Sequence, residues 1–413
     1  MIRFTNQLLY SARVVGTTNK SPLICSLYSW GSAPNGQLGL GRNITEQYTP
    51  KLVEFDDGCQ VFDTDRLDSG SFHAILAKDK KIYSWGHNRF GQLGHRNTDK
   101  QVDGCFTPTA IDFFNGKDIV ASACGSYHTV VSVKDGEKGY STYSFGWADR
   151  GQLGHTGSGV IQEIPFLKDK KVVAISCGFD YTVVVTESDG IYTFGANDKG
   201  QCGTTSSAVQ QPIRVHALDG VKADEVSCGW GHTLLKTTDG ELISWGANFH
   251  GQCGQGGPLK HHIAPIGKVL LDRPVSSPSS GSCASSCIVD GQVYIWGSSG
   301  DGKLGLGETF KDDLAQPTLL TTLPTNTKYT STSFGYDHCI ALSDTNHSIF
   351  FGWGFGQHGT LGHGSHTQSD LKVFSSPSVN RYFENINQSI STIHCSLDTS
   401  FAIVYPNTTN NTK

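Results

Sequence analysis

One short motif occurs seven times along the chain and constrains its fold more than any other feature. An aromatic residue and a glycine are followed by four variable residues and then by Gly-[Gln/Lys/Thr]-[Leu/Cys]-Gly. Successive copies are 49 to 60 residues apart, and their aromatic residues are Trp30, Trp85, Phe145, Phe194, Trp245, Trp296 and Trp353. A repeat of this period is typical of solenoids and propellers. The 413 residues are therefore predicted to form one array of similar units.

A second repeated element, a Gly-x-x-His turn, precedes most of these aromatic residues. It places a histidine, or in one unit a tyrosine, at equivalent points of five units: His73, His128, Tyr181, His232 and His338. The segment SSGSCASSCIV at 279–289 occupies the same place in another unit but lacks the histidine. An Asp-Gly turn between apolar alternations often follows, as in KTTDGELISWG at 236–246, and such a turn indicates a β-hairpin.

Each unit is predicted to contain several short strands and no convincing helix. A further strand is expected after a proline, over 49–55 and over 107–113. Radial repetition of such sheets gives a β-propeller, and the many glycines suit tight turns that need a positive φ. The seven motif aromatics are predicted to pack in the core between neighbouring blades.

The two ends of the array complement each other. CSLYSWG at 25–31 has no preceding Gly-x-x-His strand, whereas STIHCSLDTSFAIVY at 391–405 has no following aromatic motif. We predict an all-β, seven-bladed propeller over 25–405, with about four strands per blade. Residues 391–405 complete the blade that begins at 25–31, which closes the ring and removes its open edges. The polar segment 406–413 is predicted to be a disordered tail.

Composition and motifs argue against several classes of protein. The net charge is −5, so a globally basic nucleic-acid binder, including a DNA binder, is not expected. No run of 18 apolar residues predicts a membrane span, and the 12 cysteines form no C-x-x-C pair. A GxSxG, HExxH or P-loop motif is also absent, so we expect no enzyme and no cofactor. His358, His363 and His366 cluster, but histidines also follow the glycine motif elsewhere, so no metal site is predicted.

The first 22 residues have the composition of a targeting segment. They carry Arg3, Arg13 and Lys20, contain several Ser, Thr and Asn residues, and precede the first acidic residue, Glu46. This composition is typical of a mitochondrial transit peptide, whereas the apolar core of a secretory signal is missing. We therefore predict a mitochondrial location, with a cytoplasmic protein as the alternative.

The two motifs resemble the regulator of chromosome condensation repeat family, and the leader favours a mitochondrial relative. The resemblance covers nearly the whole chain and implies a seven-bladed propeller. It is less specific for function, because one fold hosts many functions. The family includes an exchange factor for the GTPase Ran, a plant UV-B photoreceptor and modules of ubiquitin ligases. Only Trp147 and Trp230 lie outside the repeated motif, too few for a light-sensing tryptophan cluster.

The resemblance also indicates which residues could contact a partner. In the Ran exchange factor, residues that contact the GTPase lie in the Gly-x-x-His turn and include an Asp before the His; Asp337 matches this pattern, and so does Asp180. Equivalent turns lie on one face of a propeller. We predict a partner-binding face formed by Phe72, His73, Tyr127, His128, Phe179, Asp180, Trp230, His232, Tyr336, Asp337 and His338.

The sequence thus favours a monomeric, non-enzymatic scaffold or regulator that binds a protein partner through this face. The first alternative is guanine-nucleotide exchange on a small or dynamin-like GTPase. Against it, all seven spacers have four residues, which leaves no room for the wedge hairpin of the Ran exchange factor. The second alternative is an assembly factor for the mitochondrial ribosome or RNA. The extended hairpin at 133–144 is a further candidate contact.

Overall fold

The structure is a computed structural model that describes residues 22–78, 80–95, 104–137, 139–206, 208–259, 262–364 and 373–407. The predicted targeting segment, apart from residue 22, and most of the predicted disordered tail lie outside the described residues.

The described residues form 29 β-strands, numbered here in chain order. The first seven are β1 (Ile24–Ser32), β2 (Glu46–Leu52), β3 (Val61–Phe62), β4 (Arg66–Ser69), β5 (His73–Lys78), β6 (Lys81–His87) and β7 (Gly104–Ala110). The next eight are β8 (Asp118–Cys124), β9 (His128–Asp135), β10 (Gly139–Gly146), β11 (Gln162–Glu163), β12 (Val172–Cys177), β13 (Tyr181–Thr186), β14 (Ile191–Ala196) and β15 (Ala208–Arg214).

The remaining strands repeat the same alternation. They are β16 (Ala223–Cys228), β17 (His232–Thr237), β18 (Leu242–Ala247), β19 (Ile263–Lys268), β20 (Val275–Ser280), β21 (Ala284–Val289), β22 (Gln292–Gly297), β23 (Leu314–Leu319), β24 (Tyr329–Phe334), β25 (His338–Ser343), β26 (Phe350–Phe355), β27 (Val373–Asn380), β28 (Gln388–Cys395) and β29 (Thr399–Pro406). The described helical structure is one short α-helix, Tyr382–Asn385, and five 3-10 turns: Asp112–Phe114, Pro165–Leu167, His216–Leu218, Gly300–Gly302 and Gln357–Gly359.

Seven antiparallel sheets form the blades of a propeller. Blades 1 to 6 each contain four consecutive strands, beginning with β4, β8, β12, β16, β20 and β24. Blade 7 has the order β2-β1-β29-β28, and the short β3 also pairs with β1. The first strand of each blade is innermost, and these strands contact one another in a closed cycle from β4 through β28 and back to β4. The predicted seven-bladed, all-β ring is confirmed.

The termini close the ring as predicted from the sequence. Strand β1 pairs antiparallel with β29, with Tyr28 opposite Ala402 and Trp30 opposite Ser400. The outermost strands differ slightly from prediction: β2 ends at Leu52 and β7 at Ala110. The chain then turns away, in the second case into a 3-10 turn, so the predicted strands 49–55 and 107–113 were placed about three residues too late.

The motif aromatics occupy the core between blades. All seven have 0% of their surface exposed: Trp30, Trp85, Phe145, Phe194, Trp245, Trp296 and Trp353. Each of the five motif tryptophans also donates its indole N–H to a backbone carbonyl of the preceding blade, for example Trp85 to Gln37 at 2.9 Å and Trp30 to Thr360 at 2.9 Å. Burial therefore does not leave the indole nitrogen unsatisfied, and the bond fixes the orientation of the ring.

The glycine after each aromatic is required by close backbone contact. Gly86 has a φ of +104°, and a Cβ there would lie 2.6 Å from the carbonyl oxygen of Phe72. Because the other aromatic–glycine pairs place their glycines at similar positive φ, the motif retains glycine at this point of every blade.

Side-chain hydrogen bonds join the innermost strands of neighbouring blades. A side chain near the end of one inner strand accepts the backbone N–H at the end of the next, with distances of 2.8 to 3.1 Å: Ser176 from Cys228, Ser227 from Ser280, Ser279 from Phe334, Ser333 from Cys395, and His394 from Ser69. Asp68 occupies the equivalent position between blades 1 and 2. Ala123 occupies the equivalent position between blades 2 and 3, and its methyl group cannot accept such a bond.

We expect Ser176→Ala to lower the free energy of unfolding by about 1–2 kcal/mol, because it leaves the Cys228 N–H without its side-chain acceptor. Urea unfolding monitored by circular dichroism measures the change. The matched control is Ser188→Ala, whose hydroxyl lies in an exposed turn. Equal stability of both variants and the parent chain would show that the inter-blade bond contributes nothing.

Candidate functional site

The repeated turns lie together at one end of the strands. In each blade the turn after the innermost strand leads into the second strand, and the four-residue spacer follows the third strand at the same end. We call the surface formed by these turns and spacers the turn face. The extended hairpin between β9 and β10 lies at the opposite end of its strands, with Gly139 paired to Asp135. It therefore does not contribute to the turn face.

The four predicted histidines lie beneath the turn face and do not form its surface. His73, His128 and His232 are 0% exposed, and His338 is 1% exposed. The Nε2 atom of each lies 2.8 to 3.0 Å from a hydroxyl of the next blade: Thr129, Thr182, Ser285 and Ser400 in turn. Tyr181 is also buried, and it donates to the carbonyl oxygen of His232 at 2.6 Å. These imidazoles have no surface for a partner, so their expected place among the contact residues is corrected to an inter-blade role.

The hydrogen bonds define the tautomer of these histidines. The hydroxyl of Thr129 donates its single proton to the carbonyl of Gln92 at 2.8 Å, so it must accept from Nε2–H of His73. Nδ1 of His73 is then unprotonated, and it has no hydrogen-bond partner in the described part of the chain. Burial lowers the pKa of His73 to about 3, helped by the nearby His128. The ring is therefore neutral at physiological pH.

Five aromatic rings of blades 1 and 2 form a cluster on the turn face. We call the set the aromatic cluster: Phe72, His87, Phe90, Tyr127 and Trp147. Phe72 stacks on Tyr127 with ring centroids 4.7 Å apart, and Phe90 meets Tyr127 edge to face at 5.1 Å. Trp147 lies 5.9 Å from Phe90 and 6.1 Å from Tyr127. All five are partly exposed, so this is an accessible aromatic surface and not part of the core.

Other predicted residues lie farther around the ring. Trp230 is partly exposed, and the ammonium of Lys199 lies 4.5 Å from its ring centroid. Phe179 is partly exposed, and Tyr336 is 37% exposed. The aromatic residues predicted for the face thus reach its surface, in contrast to the histidines beside them.

Asp337 is held by a buried lysine. Lys303 is 6% exposed, and its ammonium lies 2.7 Å from Asp337 and 3.2 Å from Asp301. Asp337 also accepts a hydrogen bond from Ser282 at 3.0 Å. Replacing Asp337 would therefore weaken the junction of blades 5 and 6 as well as change the surface. For that reason Asp337 is a poor choice for a test of partner binding.

Asp180 lies in a different environment. It forms no ion pair within the described residues, and its Oδ1 atom is buried without a hydrogen-bond partner there. The neighbouring cations Arg150 and Lys199 instead pair with Asp198, at 3.1 and 2.6 Å. Burial raises the pKa of Asp180 to about 6, while the charge of Arg150 opposes this rise. Asp180 in turn raises the pKa of Tyr127, although burial of that phenol is the larger cause.

Several residues of the turn face were missed in the sequence. His87, Phe90, Trp147 and Lys303 lie in or beside the spacers, and they contact residues of the Gly-x-x-His turns. Asp398 occupies the turn of blade 7 equivalent to that of Asp337. Asp398 could have been found from its position in the C-terminal repeat, which matches that of Asp337. The spacer residues could have been found from the uniform length of the spacers, which places them beside the turns.

Within the described ranges, no group of three or more His, Cys, Asp or Glu side chains could hold a metal ion. His358 pairs with Glu46 at 2.6 Å, while His366 lies outside the described residues. The described chain also contains no helix that is long and apolar enough to cross a membrane.

Comparison with known proteins identifies the family. Residues 26–75, 79–132, 141–185, 188–235 and 290–342 match the Regulator of chromosome condensation (RCC1) repeat, and a second description of this repeat matches 172–201 and 223–252. These segments make up more than half of the chain. The chain belongs to the RCC1 repeat family.

Individual relatives support this assignment. The chain is 30% identical over 377 residues to the ultraviolet-B receptor UVR8 of Arabidopsis thaliana, covering 89% of this chain and 78% of UVR8. It is 26% identical over 293 residues to the mitochondrial RCC1 domain-containing protein RUG3 of the same plant, covering 68% of this chain and 63% of RUG3.

A solved structure shows the same fold. Prp20p of Saccharomyces cerevisiae, whose binding properties to Gsp1p and histones have been described, superposes with a TM-score of 0.80 at 20% identity. The match covers 94% of this chain and 93% of that one.

Proposed function

We propose that the chain is a non-enzymatic binding propeller, a scaffold or regulator, that holds a protein partner on its turn face. The observation that carries this proposal is the aromatic cluster, in which five rings are packed together yet remain partly exposed. Aromatic side chains are enriched at the centres of protein interfaces, because they bury a large area at a small cost in side-chain entropy. Their position on one rigid face, with Tyr336 and Asp398 elsewhere on it, suits a folded protein surface.

Guanine-nucleotide exchange on a small or dynamin-like GTPase is the second candidate. It is favoured by Asp180, which lies at the position of the GTPase-contacting Asp in the family and forms no ion pair in the described chain. Exchange would work by differential binding, since a face that prefers the nucleotide-free GTPase speeds the loss of GDP. A role with mitochondrial RNA or ribosomes has less support, because Arg150, Lys199 and Lys303 are each paired with an aspartate.

The leader sequence and the similarity to mitochondrial RUG3 support a mitochondrial location. Identifying the cellular compartment of the captured partner distinguishes a mitochondrial from a cytoplasmic location.

The proposal is tested by native affinity capture from cell extract, once with EDTA and once with excess GTP and magnesium. We expect a protein partner whose affinity falls about 10-fold or more with Trp147→Ala, and which is also weakened by Tyr336→Ala. The matched control is Phe166→Ala, an aromatic side chain that is 54% exposed and follows an outermost strand at the opposite end of the ring.

Three results are decisive. A GTPase retained with EDTA and released by GTP would establish exchange, whereas a partner indifferent to nucleotide would establish a scaffold. Partners that tolerate Trp147→Ala and Tyr336→Ala but are lost with Phe166→Ala would contradict the turn face as the binding surface.

A further inference from the structure

We infer that the aromatic cluster and Asp180 together form a binding site for a cationic side chain, Lys or Arg, presented by the partner. This inference rests on the proposed function and specifies the chemistry of the partner. It depends on two observations, the uncovered rings and the unpaired carboxylate.

Within the described residues, four rings of the aromatic cluster have no lysine or arginine over them: Phe72, Phe90, Tyr127 and Trp147. At five other places in the described residues, a lysine or arginine lies over an aromatic ring, with distances of 4.1 to 5.5 Å from charge to centroid: Arg42 over Phe106, Lys78 over Phe62, Lys117 over Phe113, Lys170 over Tyr192 and Lys199 over Trp230. The described part of the chain puts no such cation over Phe72, Phe90, Tyr127 or Trp147. The negative ring faces are therefore available to a cation from outside.

Asp180 supplies the matching charge. The backbone N–H of Ser126 donates to the carbonyl oxygen of Phe179 at 3.3 Å, so the turn that carries Asp180 lies beside the turn that carries Tyr127. It forms no ion pair within the described chain, and its Oδ1 atom is buried without a hydrogen-bond donor. Arg150 and Lys199 do not fill this role, since Asp198 pairs with both. A partly buried carboxylate with one oxygen that lacks a donor is costly, and an ammonium or guanidinium group placed beside it would stabilise its charge.

Trp230 provides an internal control on the same face. Like Trp147 it is partly exposed and lies outside the repeated motif, but Lys199 already covers its ring. A cationic probe should therefore bind at Trp147 and leave Trp230 unchanged. The other five tryptophans are buried in the core and report whether the fold is intact.

The experiment titrates the full chain, labelled with ¹⁵N at the tryptophan indoles, with acetyl-Gly-Arg-Gly-amide and separately with acetyl-Gly-Lys-Gly-amide. The citrulline peptide, which has nearly the shape of the arginine peptide but no charge, is the neutral control. We expect a saturable shift of the Trp147 indole signal at millimolar peptide, no shift with citrulline, and no change at Trp230. Asp180→Asn should weaken the binding about 5-fold or more, while the five buried indole signals stay in place.

Binding by only one of the two cationic peptides identifies which side chain the site accepts. Equal shifts with citrulline, no shift at about 20 mM peptide, or full binding by Asp180→Asn would overturn the inference. If the peptides fail while capture still depends on Trp147 and Tyr336, the proposed function stands without a cation site. If the peptides bind but no captured protein depends on the turn face, the proposed function is wrong while the cation site stands.

Discussion

Truncation after residue 390 will abolish cooperative folding of the propeller. It removes β29, which lies between β1 and β28 in blade 7, together with five of the eight residues of β28. Phe401, Ala402, Ile403 and Val404 are all 0% exposed. Burial of each large apolar side chain contributes about 1.5–3 kcal/mol, and the truncation would also leave β1 with an unpaired edge. The total approaches the whole stability of a typical protein, about 5–15 kcal/mol.

Thermal unfolding, monitored by circular dichroism and dye binding, measures this effect. The truncated chain should show no cooperative transition and should bind the dye at room temperature. Truncation after residue 407 is the matched control, because it leaves every strand of blade 7 intact and should melt with the full chain. A chain ending at residue 390 that melts within a few degrees of full length would show that the C-terminal strand does not close the ring.

Acid will unfold the protein at a pH well above that at which ordinary carboxylates titrate. Burial lowers the pKa of His73, His128, His232 and His338 to about 3, and that of His394 to about 4. In the unfolded chain each has a pKa near 6.5. At about pH 8 and above, these histidines are neutral in both the folded and the unfolded state and do not affect stability. As the pH falls below about 6.5, the unfolded state binds protons that the folded state excludes, so the free energy of unfolding falls.

Asp68 and Asp180 act in the opposite direction, and so does Asp398, whose pKa is also raised by burial. Burial raises the pKa of Asp68 to about 8 and that of Asp180 to about 6, so they hold protons in the folded state that the unfolded state releases. Of the seven groups with these pKa values, five histidines gain protons on unfolding at pH 5 and two aspartates lose them, a net uptake of about three protons. The free energy of unfolding should then fall by about 4 kcal/mol per pH unit. Urea unfolding at pH 7.5, 6 and 5 measures this slope.

A single variant distinguishes the contribution of a buried histidine to the pH dependence of stability from that of the other titratable groups. His73→Asn should be less stable than the parent at pH 7.5, since it loses the bond to Thr129. Between pH 6 and 5, the free energy of unfolding of the variant should fall less steeply than that of the parent. The difference in slope corresponds to about one proton, because one buried imidazole no longer titrates. The stability of parent and variant should therefore converge as the pH falls. An unchanged free energy of unfolding between pH 7.5 and 5 would contradict neutral, buried histidines.

The ring and its closure could be predicted because each blade repeats the same physical requirements. The segment of Trp30, for example, has no preceding Gly-x-x-His strand, and the C-terminal strand has no following aromatic motif, so the two segments are predicted to share one blade. The burial of the histidines was predicted less well, since a Gly-x-x-His turn alone does not show which way the ring points. A relation between blades would have revealed it.

That relation is a pairing between positions about one blade apart. In some blades, the residue that directly follows the histidine position of the Gly-x-x-His turn is Ser or Thr. In each such case the preceding blade has a histidine or tyrosine that bonds its hydroxyl, as His128 bonds Thr182. In blade 1 the following residue is Ala74, and the preceding blade has Thr399 in place of the histidine. In blade 6 the following residue is Cys339, and the preceding blade has Ala284 in place of the histidine. The exception in blade 5 is thus explained by the missing hydroxyl in blade 6. The aromatic cluster could not be predicted, because it joins turns and spacers that are far apart in sequence.

The central claim, that the turn face binds a protein partner, is tested most directly by hydrogen–deuterium exchange of the full chain with and without the captured partner. Binding should slow exchange in the turns and spacers around Tyr127, Trp147 and Tyr336, and leave the opposite end, including the hairpin at 133–144, unchanged. Protection confined to that hairpin or to the outer strands, with the turns unaffected, would contradict it.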